Sequence, residues 1–257
     1  MAFDSVQVLG TTVHCVAESD VLRFALDRIT RREPTQIVTV NAEFVMMARR
    51  DDRFRRVLAT ADVATPDGAG VVWAARRKGA AIRRRVGGSD LIWSLSRQAA
   101  QNGHSVFLLG AAEGVAAAAA LRLQASIPGL AVGGTYAGSP TPGEEDSIVD
   151  LVRMSGAAIL FVAFGAPQQD LWIARNLARS GAVVGMGVGG SFDYLAGTAR
   201  RAPVWMQERG LDWLWRLIQQ PWRWRRMLAL PRFTWSVLRE GRAHPEAGKG
   251  QNQHGRN

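Results

Sequence analysis

The feature of this chain that most constrains its fold is a repeated alternation of short apolar runs and helical patterns. Four runs have the composition of buried strands: QIVTV at 36–40, SVFLLG at 105–110, AAILFVAFG at 157–165 and AVVGMGVGG at 182–190. Helical patterns separate them. Continuous apolar strands between helices are typical of a parallel sheet that is covered on both faces. The sequence therefore predicts an α/β fold with a mostly parallel sheet between helices.

Parallel sheets bind their ligands at the carboxyl ends of the strands. The loops to search are therefore those that follow Val40, Gly110, Phe164 and Val188, together with the loop that holds Asp67. A polar residue in such a loop has two interpretations. It serves a ligand, or it caps the helix that follows.

The last part of the chain departs from this alternation and is rich in tryptophan and arginine. Residues 200–242 hold six of the nine tryptophans and ten arginines, against three acidic residues. Pro221 and Pro231 are predicted to break this stretch into two or three short helices. We therefore divide the chain into an α/β catalytic core at 1–199, a helical appendage at 200–242 and a disordered tail at 243–257.

The appendage has two interpretations, because tryptophan is costly to expose and arginine is costly to bury. In the first, it docks on an anionic membrane surface, where indole rings sit at headgroup level and arginines meet lipid phosphates. In the second, the tryptophans pack on the core while the arginines are solvated. No stretch reaches about 18 uninterrupted apolar residues, so a transmembrane helix is not predicted.

The net charge of +10 indicates an anionic partner: nucleic acid, an acidic membrane surface or a phosphorylated substrate. Cys15 is the single cysteine, which excludes an intrachain disulfide and fits a reducing compartment. The first residues lack the basic and apolar regions of a secretory signal. The histidines are scattered, and the sequence has no Asp-x-Asp metal motif, so no metal site is predicted.

Residues 185–190 read GMGVGG, which matches the G-x-G-x-x-G pattern of dinucleotide-binding loops. The context is poor, because this run lies near the end of the α/β pattern and no second strand with a terminal acidic residue follows it. We therefore favour close backbone approach to a different ligand over a nicotinamide cofactor.

Two motifs place polar side chains after predicted strands. TVNAEFV puts Thr39 and Asn41 at a strand end, and Asp67 precedes Gly68 at a loop-to-helix junction. Polar side chains at the carboxyl end of a parallel strand are candidates for contact with a ligand. Capping or a turn is the structural alternative, and for Asn41 both interpretations can hold.

Two further motifs suit phosphate and sugar. RRRVGGSDLIWSL at 83–95 places Arg85 before a glycine pair and Ser89 at a helix start, which is typical of a phosphate site. A solvated basic face is the alternative. FGAPQQDLW at 164–172 places Gln169 after a buried strand, where its amide suits sugar hydroxyls and where capping is again the alternative.

In this order, the motifs between about Val38 and Arg226 resemble those of the WecG/TagA/CpsF family of bacterial glycosyltransferases. The matching elements are Thr39-x-Asn41-x-Glu43, Asp67-Gly68, Arg85-Val86-x-Gly88-x-Asp90-Leu91, Gly165-x-Pro167-x-Gln169, Gly189-Gly190-x-Phe192-Asp193, Arg201-Ala202-Pro203 and Gly210-Leu211-x-Trp213-x-x-Arg216. The chain departs from the family at Gln168, where a lysine is usual, and at Asp170 and Asp212, where a glutamate is common.

The resemblance implies a Rossmann-like core that performs an inverting, metal-independent transfer without a cofactor. A hexose or N-acetylhexosamine would pass from a UDP-sugar to a polyprenyl-diphosphate-linked sugar during synthesis of a bacterial cell-surface polysaccharide. The enzyme would lie peripherally on the cytoplasmic face of the inner (plasma) membrane. The appendage would help to hold it there and would contribute to the active site.

The resemblance also implies roles for single residues. Asp67 is expected to be the general base, with Thr39 and Asn41 positioning the substrate. Without a metal, arginines and helix N-termini must meet the charge of the leaving UDP. The expected substrate-binding residues are Arg85, Gly88, Ser89, Gly165, Gln169, Gly189, Gly190, Arg216 and Arg223.

Two other classes of protein stay open. A basic nucleic-acid-binding protein would use the arginines and tryptophans on phosphates and bases, but it would leave Asp67 and Gln169 without a role. A Rossmann-type oxidoreductase is the other class. We expect no nucleic-acid partner. The oligomeric state is not fixed by the sequence, so a homo-oligomer stays open as well.

Overall fold

The computed structural model describes residues 3–203, 205–206, 209–221 and 224–241, apart from the side chain of Arg216. These residues include eight strands: β1 Ser5–Val8, β2 Thr11–His14, β3 Thr35–Val40, β4 Val63–Pro66, β5 Ser105–Gly110, β6 Ala131–Tyr136, β7 Ile159–Ala163 and β8 Val184–Gly187. The helices that precede residue 200 are α1 Glu18–Arg31, α2 Ala42–Ala48, α3 Asp52–Thr60, α4 Ala69–Arg77, α5 Gly88–Gln101, α6 Val115–Ser126, α7 Pro142–Ser155, α8 Gln168–Ser180 and α9 Ser191–Ala196. Three more follow: α10 Asp212–Gln219, α11 Trp224–Met227 and α12 Ala229–Glu240.

Six of the strands form one parallel sheet in the order β4-β3-β8-β7-β5-β6. Strands β1 and β2 pair with each other as an antiparallel ribbon. Every residue of β3 and of β7 is buried, as expected where helices cover both faces of a parallel sheet. The predicted α/β fold with a parallel sheet between helices is confirmed.

Helices cover both faces of the sheet, so it is the middle of three layers. Successive side chains of a strand point to opposite faces. In β3, Ile37 joins an apolar cluster with α1, α5, α6 and α9, whereas Val38 joins a cluster with α2, α3, α4 and α12. A third cluster, under α7 and α8, covers the rest of this second face.

The described part of the arginine- and tryptophan-rich stretch contains helices, as predicted. Helix α10 ends at Gln219, shortly before Pro221. Pro231 does not break the run as predicted, because it lies in the first turn of α12. A proline is tolerated there, since the N–H it lacks would have no partner within the helix. The predicted disordered tail at 243–257 lies outside the described residues.

Helix α12 packs into the core instead of standing apart from it. Phe233 and Val237 are each 1% exposed and belong to the cluster formed by α2 and α4. A Cβ atom added to Gly70 of α4 would lie 3.6 Å from the Phe233 ring, so the two helices are in close contact. Among the described residues, no helix is both long and apolar enough to span a bilayer.

Candidate active site

Two neighbouring strands deliver the first two polar side chains of the site. β3 and β4 pair in parallel with Val40 opposite Pro66, so Asn41 and Asp67 emerge side by side. The Asp67 N–H donates to the Val40 carbonyl at 2.8 Å, which fixes the two chain segments to each other. The structure thus brings these two predicted residues together.

Asn41 and Asp67 differ in what their side chains do. The Asn41 Oδ1 accepts from the Phe44 N–H at 3.0 Å and so caps α2, while the residue also lines the cavity described below. Both interpretations of Asn41 therefore have support. Gly68, and not Asp67, is the N-cap residue of α4. The carboxyl of Asp67 faces Arg85, with 3.9 Å between Oδ1 and Nη1.

Arg85 lies between two carboxylates and is within hydrogen-bond distance of neither. Its guanidinium is 3.9 Å from Asp67 and 3.8 Å from Asp90. Both separations exceed normal hydrogen-bond distances. Asp90 binds more tightly to Arg201, with 2.5 Å between Oδ1 and Nη2. With respect to the described residues, Arg85 therefore keeps donors available for a further anion.

The N-terminus of α5 lies directly against this group. A Cβ atom on Gly87 would be 2.9 Å from the Asp67 Oδ1, and one on Gly88 would be 3.3 Å from the Thr39 Oγ1. A side chain at either position would therefore press against Asp67 or Thr39. The positive end of the α5 dipole thus points to the site, where it favours negative charge. Thr39 itself is buried beneath Gly88.

Residues of the core and of the C-terminal stretch together enclose a cavity of about 620 Å³. From the core, it is lined by Asn41, Glu43, Asp67, Arg85, Ser89 and Tyr194. From the C-terminal stretch, it is lined by Arg201, Arg209, Asp212, Trp213, Leu230 and Thr234. The cavity is large enough for part of a sugar nucleotide and carries charges of both signs.

A second group of predicted residues lies away from this cavity. Gln169 is 2% exposed, and its Oε1 accepts from the Gly189 N–H at 3.0 Å. Gly165, Gly189 and Gly190 likewise do not belong to the described lining. The loop after β8 still reaches the cavity wall, because the Ser191 Oγ lies 3.1 Å from the Ser89 Oγ. Sugar binding by Gln169 stays a prediction.

Asp170, next to Gln169, is fully buried and received no role from the sequence. Neither of its carboxylate oxygens has a hydrogen-bond partner of normal geometry among the described residues. Burial raises the pKa of this carboxyl to about 7, because the charged form is poorly solvated there. Asp170 is therefore a group whose charge changes near neutral pH.

The structure gives the GMGVGG motif a structural explanation. Gly185 lies within β8, where a Cβ atom would be 2.7 Å from the Ile173 Cγ2 and 2.9 Å from the Leu177 Cδ1. The close neighbour at this glycine is helix α8. The expectation of close approach to a ligand is therefore wrong at Gly185, where packing of a helix explains the glycine.

Several cavity residues received no individual role from the sequence. Glu43 pairs with Arg226, with 2.9 Å between Oε2 and Nη2, and so joins α2 to α11. Arg201 is also part of the site. Both Glu43 and Arg201 stand in motifs of the resemblance, which was the available signal. Arg223 lies outside the described residues, as does the side chain of Arg216. Their predicted contacts stay predictions.

No group of three or more His, Cys, Asp and Glu side chains is placed to hold a metal ion within the described part of the chain. The charges that do surround the cavity are carboxylates and guanidiniums, with the N-terminus of α5 beside them. The arrangement can accept a proton at Asp67 and bind an anion at Arg85. The expectation of a metal-independent reaction stays a prediction.

Comparisons with known proteins identify one family for this chain. A family model described as glycosyl transferase WecG/TagA/CpsF matches residues 6–247. The chain is similar to an N-acetylglucosaminyldiphosphoundecaprenol N-acetyl-beta-D-mannosaminyltransferase of Bacillus spizizenii, with 36% identity over 207 residues that cover 80% of each chain. It is also similar to the protein of the same name from Bacillus subtilis strain 168, with 32% identity over 204 residues that cover 79% of each chain.

Proposed function

The chain belongs to the WecG/TagA/CpsF family of glycosyltransferases, and from this membership we propose its reaction. It transfers a hexose or N-acetylhexosamine from a UDP-sugar to a polyprenyl-diphosphate-linked sugar, in the synthesis of a bacterial cell-surface polysaccharide. The names of the two relatives make N-acetylmannosamine the first donor sugar to test. They make N-acetylglucosaminyl-diphosphoundecaprenol the first acceptor.

The observation that carries this proposal is the placement of Asp67 at the cavity, beside Arg85 and the start of α5. In an inverting transfer, the acceptor hydroxyl attacks the anomeric carbon from the face opposite the diphosphate. The hydroxyl proton passes to the Asp67 carboxylate, and the bonding electrons of the breaking C–O bond leave with UDP. A positioned base contributes about 10²–10⁴-fold to such a step.

The leaving diphosphate needs stabilisation of its negative charge. The guanidinium of Arg85 lies beyond hydrogen-bond distance of Asp67 and Asp90, so its N–H groups can bind the diphosphate. The N-terminus of α5 adds aligned backbone N–H groups. Arg201 and Arg209 bring further positive charge from the C-terminal stretch. Asn41 lines the cavity and Thr39 lies buried beneath Gly88, and contact of either with substrate is a proposal.

We also propose that the C-terminal helices dock the enzyme on the anionic cytoplasmic leaflet, where the acceptor lies. Three exposed rings support this. Trp205, Trp224 and Trp235 are 52%, 53% and 59% exposed, which disfavours the alternative that the tryptophans all pack on the core. Each ring carries a stacked guanidinium, with ring-centroid distances of 5.6, 5.5 and 4.1 Å for Arg209, Arg225 and Arg239. Paired indoles and arginines suit a headgroup layer.

The test of the transferase proposal is a panel of radiolabelled UDP-sugars, each offered with a short-chain polyprenyl-diphosphate N-acetylglucosamine. We expect label to move to the lipid product with at least one UDP-sugar, UDP-N-acetylmannosamine being the first choice. A panel with no transfer by a protein that nonetheless binds UDP contradicts the proposed acceptor. A panel with neither transfer nor UDP binding contradicts the transferase assignment as a whole.

A further inference from the structure

A second concave site lies beside the catalytic cavity, between the end of α2 and the C-terminal helices. It is a groove of about 160 Å³. In the described part of the chain, four arginines line it, of which Arg50 comes from the core and Arg225, Arg226 and Arg232 come from the C-terminal stretch. Glu43 lines both the groove and the catalytic cavity, so the two are neighbours that share one wall.

The charge of this groove is unbalanced. Of the described residues that line it, only Glu43 is acidic, and Arg226 already binds the Glu43 carboxylate through Nε at 3.0 Å and Nη2 at 2.9 Å. No carboxylate of the described residues forms an ion pair with Arg50, Arg225 or Arg232. Clustered like charges repel one another, and a bound anion relieves that repulsion. Guanidiniums in such a cluster match the oxygens of a phosphate group.

The rest of the groove wall is apolar. Met46, Met47 and Ala229 complete the lining, and methionine side chains adapt to irregular apolar partners. The Arg225 guanidinium stacks over the ring of Trp224, which is 53% exposed. A free inorganic phosphate would leave this apolar wall uncovered. A phosphate that carries a glycerol and the first carbons of acyl chains would cover it.

We propose that this groove binds the phosphate of an anionic bilayer phospholipid. The site rests on the proposed action at a membrane and deepens it, because it uses the core residue Arg50 as well as the appendage. One bound headgroup at the shared Glu43 wall sets the orientation of the neighbouring catalytic cavity toward the bilayer. Docking is then directed by a specific site, in addition to general attraction between the basic chain and the leaflet.

The experiment compares two full-length double variants that lose the same charge. The groove variant is Arg50→Gln with Arg232→Gln. The matched control is Arg97→Gln with Arg122→Gln, whose arginines are exposed on α5 and α6, over the opposite face of the sheet, and have no ion pair with a described residue. Binding is measured by sedimentation with vesicles of phosphatidylcholine that contain phosphatidylglycerol, and with phosphatidylcholine alone.

We expect the groove variant to bind the anionic vesicles about 30-fold more weakly, since each basic residue at such a surface contributes roughly fivefold. The control variant should stay within about twofold of wild type, because its arginines face away from the groove. Equal weakening in both variants overturns the proposal, since it would reflect net charge alone. If the groove double variant does not fold, the single variants Arg50→Gln and Arg232→Gln carry the same comparison.

A second measurement, of melting temperature with soluble ligands, identifies the source of the phosphate. Dihexanoyl-phosphatidylglycerol, below its micellar concentration, should raise the melting temperature of wild type and not of the groove variant. Inorganic phosphate at equal concentration should raise neither. Turnover of a water-soluble short-chain acceptor should be the same in both proteins. A raised KM for that acceptor in the groove variant would assign the groove to the acceptor diphosphate and overturn the proposal.

The outcomes separate this site from the proposed reaction. If wild type transfers no sugar but the two double variants differ on anionic vesicles as expected, the proposed reaction is contradicted and the proposed lipid site is supported. If wild type transfers sugar but the two variants bind vesicles alike, the proposed lipid site is contradicted and the proposed reaction is supported.

Discussion

At the scale of single residues, the carboxyl of Asp67 is the group on which the proposed chemistry depends most. Asp67→Asn keeps the size of the side chain and removes its ability to accept a proton. We expect turnover to fall by roughly 10²-fold or more, with UDP binding near wild type. Steady-state transfer and UDP calorimetry measure the two quantities.

A matched control for this change is Asp150→Asn on α7, an exposed carboxylate that pairs with Arg153. It makes the same chemical substitution far from the cavity, and we expect full activity. Retention of more than about a third of wild-type turnover by Asp67→Asn would mean that another group is the base.

Asp170 makes a second prediction at this scale, which concerns stability and pH. Burial raises the pKa of its carboxyl from 3.8 to about 7. Between these values the folded protein holds a proton that the unfolded chain has lost, so stability falls as pH rises. The slope is about 1.4 kcal/mol per pH unit, for a total of a few kcal/mol.

Asp170→Asn removes this titration, because its amide is neutral at every pH. Urea unfolding at pH 5 and pH 8 should show wild type losing more stability over this interval than Asp170→Asn, by a few kcal/mol at most. Parallel curves for the two proteins would contradict the raised pKa of Asp170. The comparison cancels all other titrating groups, since the two proteins share them.

At the scale of elements, the N-terminus of α5 and its neighbour Arg85 supply positive charge where the diphosphate is proposed to leave. Because these groups can take the place of a divalent cation, we expect transfer to survive excess EDTA. The measurement is the initial rate with and without EDTA. Activity that disappears with EDTA and returns with Mg²⁺ or Mn²⁺ would contradict the prediction.

Helix α12 makes a prediction about stability, because it both carries exposed aromatic surface and fills part of the core. Phe233 is 1% exposed and Trp235, two residues away, is 59% exposed. Phe233→Ala should lower the free energy of unfolding by about 3–5 kcal/mol. Trp235→Ala should change it by less than about 1 kcal/mol. Equal effects in urea unfolding would mean that α12 does not pack as described.

Elements that repeat along the chain were predictable from the sequence, and contacts between distant elements were not. Buried strands are recognisable in the sequence as apolar runs. The parallel pairing of two such strands brings Asn41 beside Asp67. The contact of Glu43 with Arg226 spans 183 positions, and no local pattern encodes it. Gly185 looked like part of a ligand loop, because a crossing helix and a bound ligand both exclude a Cβ atom.

At the scale of the whole molecule, the excess of positive charge predicts reversible docking on anionic membranes. The full-length protein should sediment with vesicles that contain phosphatidylglycerol, and less of it should do so as salt rises, because salt screens charges beyond about 10 Å at 0.1 M. A protein that ignores such vesicles at low salt would contradict the proposed docking. The same assay with neutral vesicles shows how much binding the tryptophans alone provide.

Removal of all residues after Ala199 is a poor test of docking, because it changes more than the membrane surface. Truncation there would take Phe233 and Val237 out of the apolar cluster shared with α2 and α4. The truncated core would then expose an apolar groove. Hydrophobic association of that groove with vesicles would obscure the loss of the docking surface. Substitution of exposed residues such as Trp224 separates docking from folding.

The cavity is lined by residues from both the core and the C-terminal stretch, and this has a consequence for when the enzyme becomes active during its synthesis. Asp67 leaves the ribosome early, while Leu230 and Thr234, which also line the cavity, follow more than 160 positions later. A nascent chain that has folded its sheet therefore holds the proposed base but no enclosed site around it. We therefore expect sugar transfer to begin only after α12 has been translated and has completed the cavity.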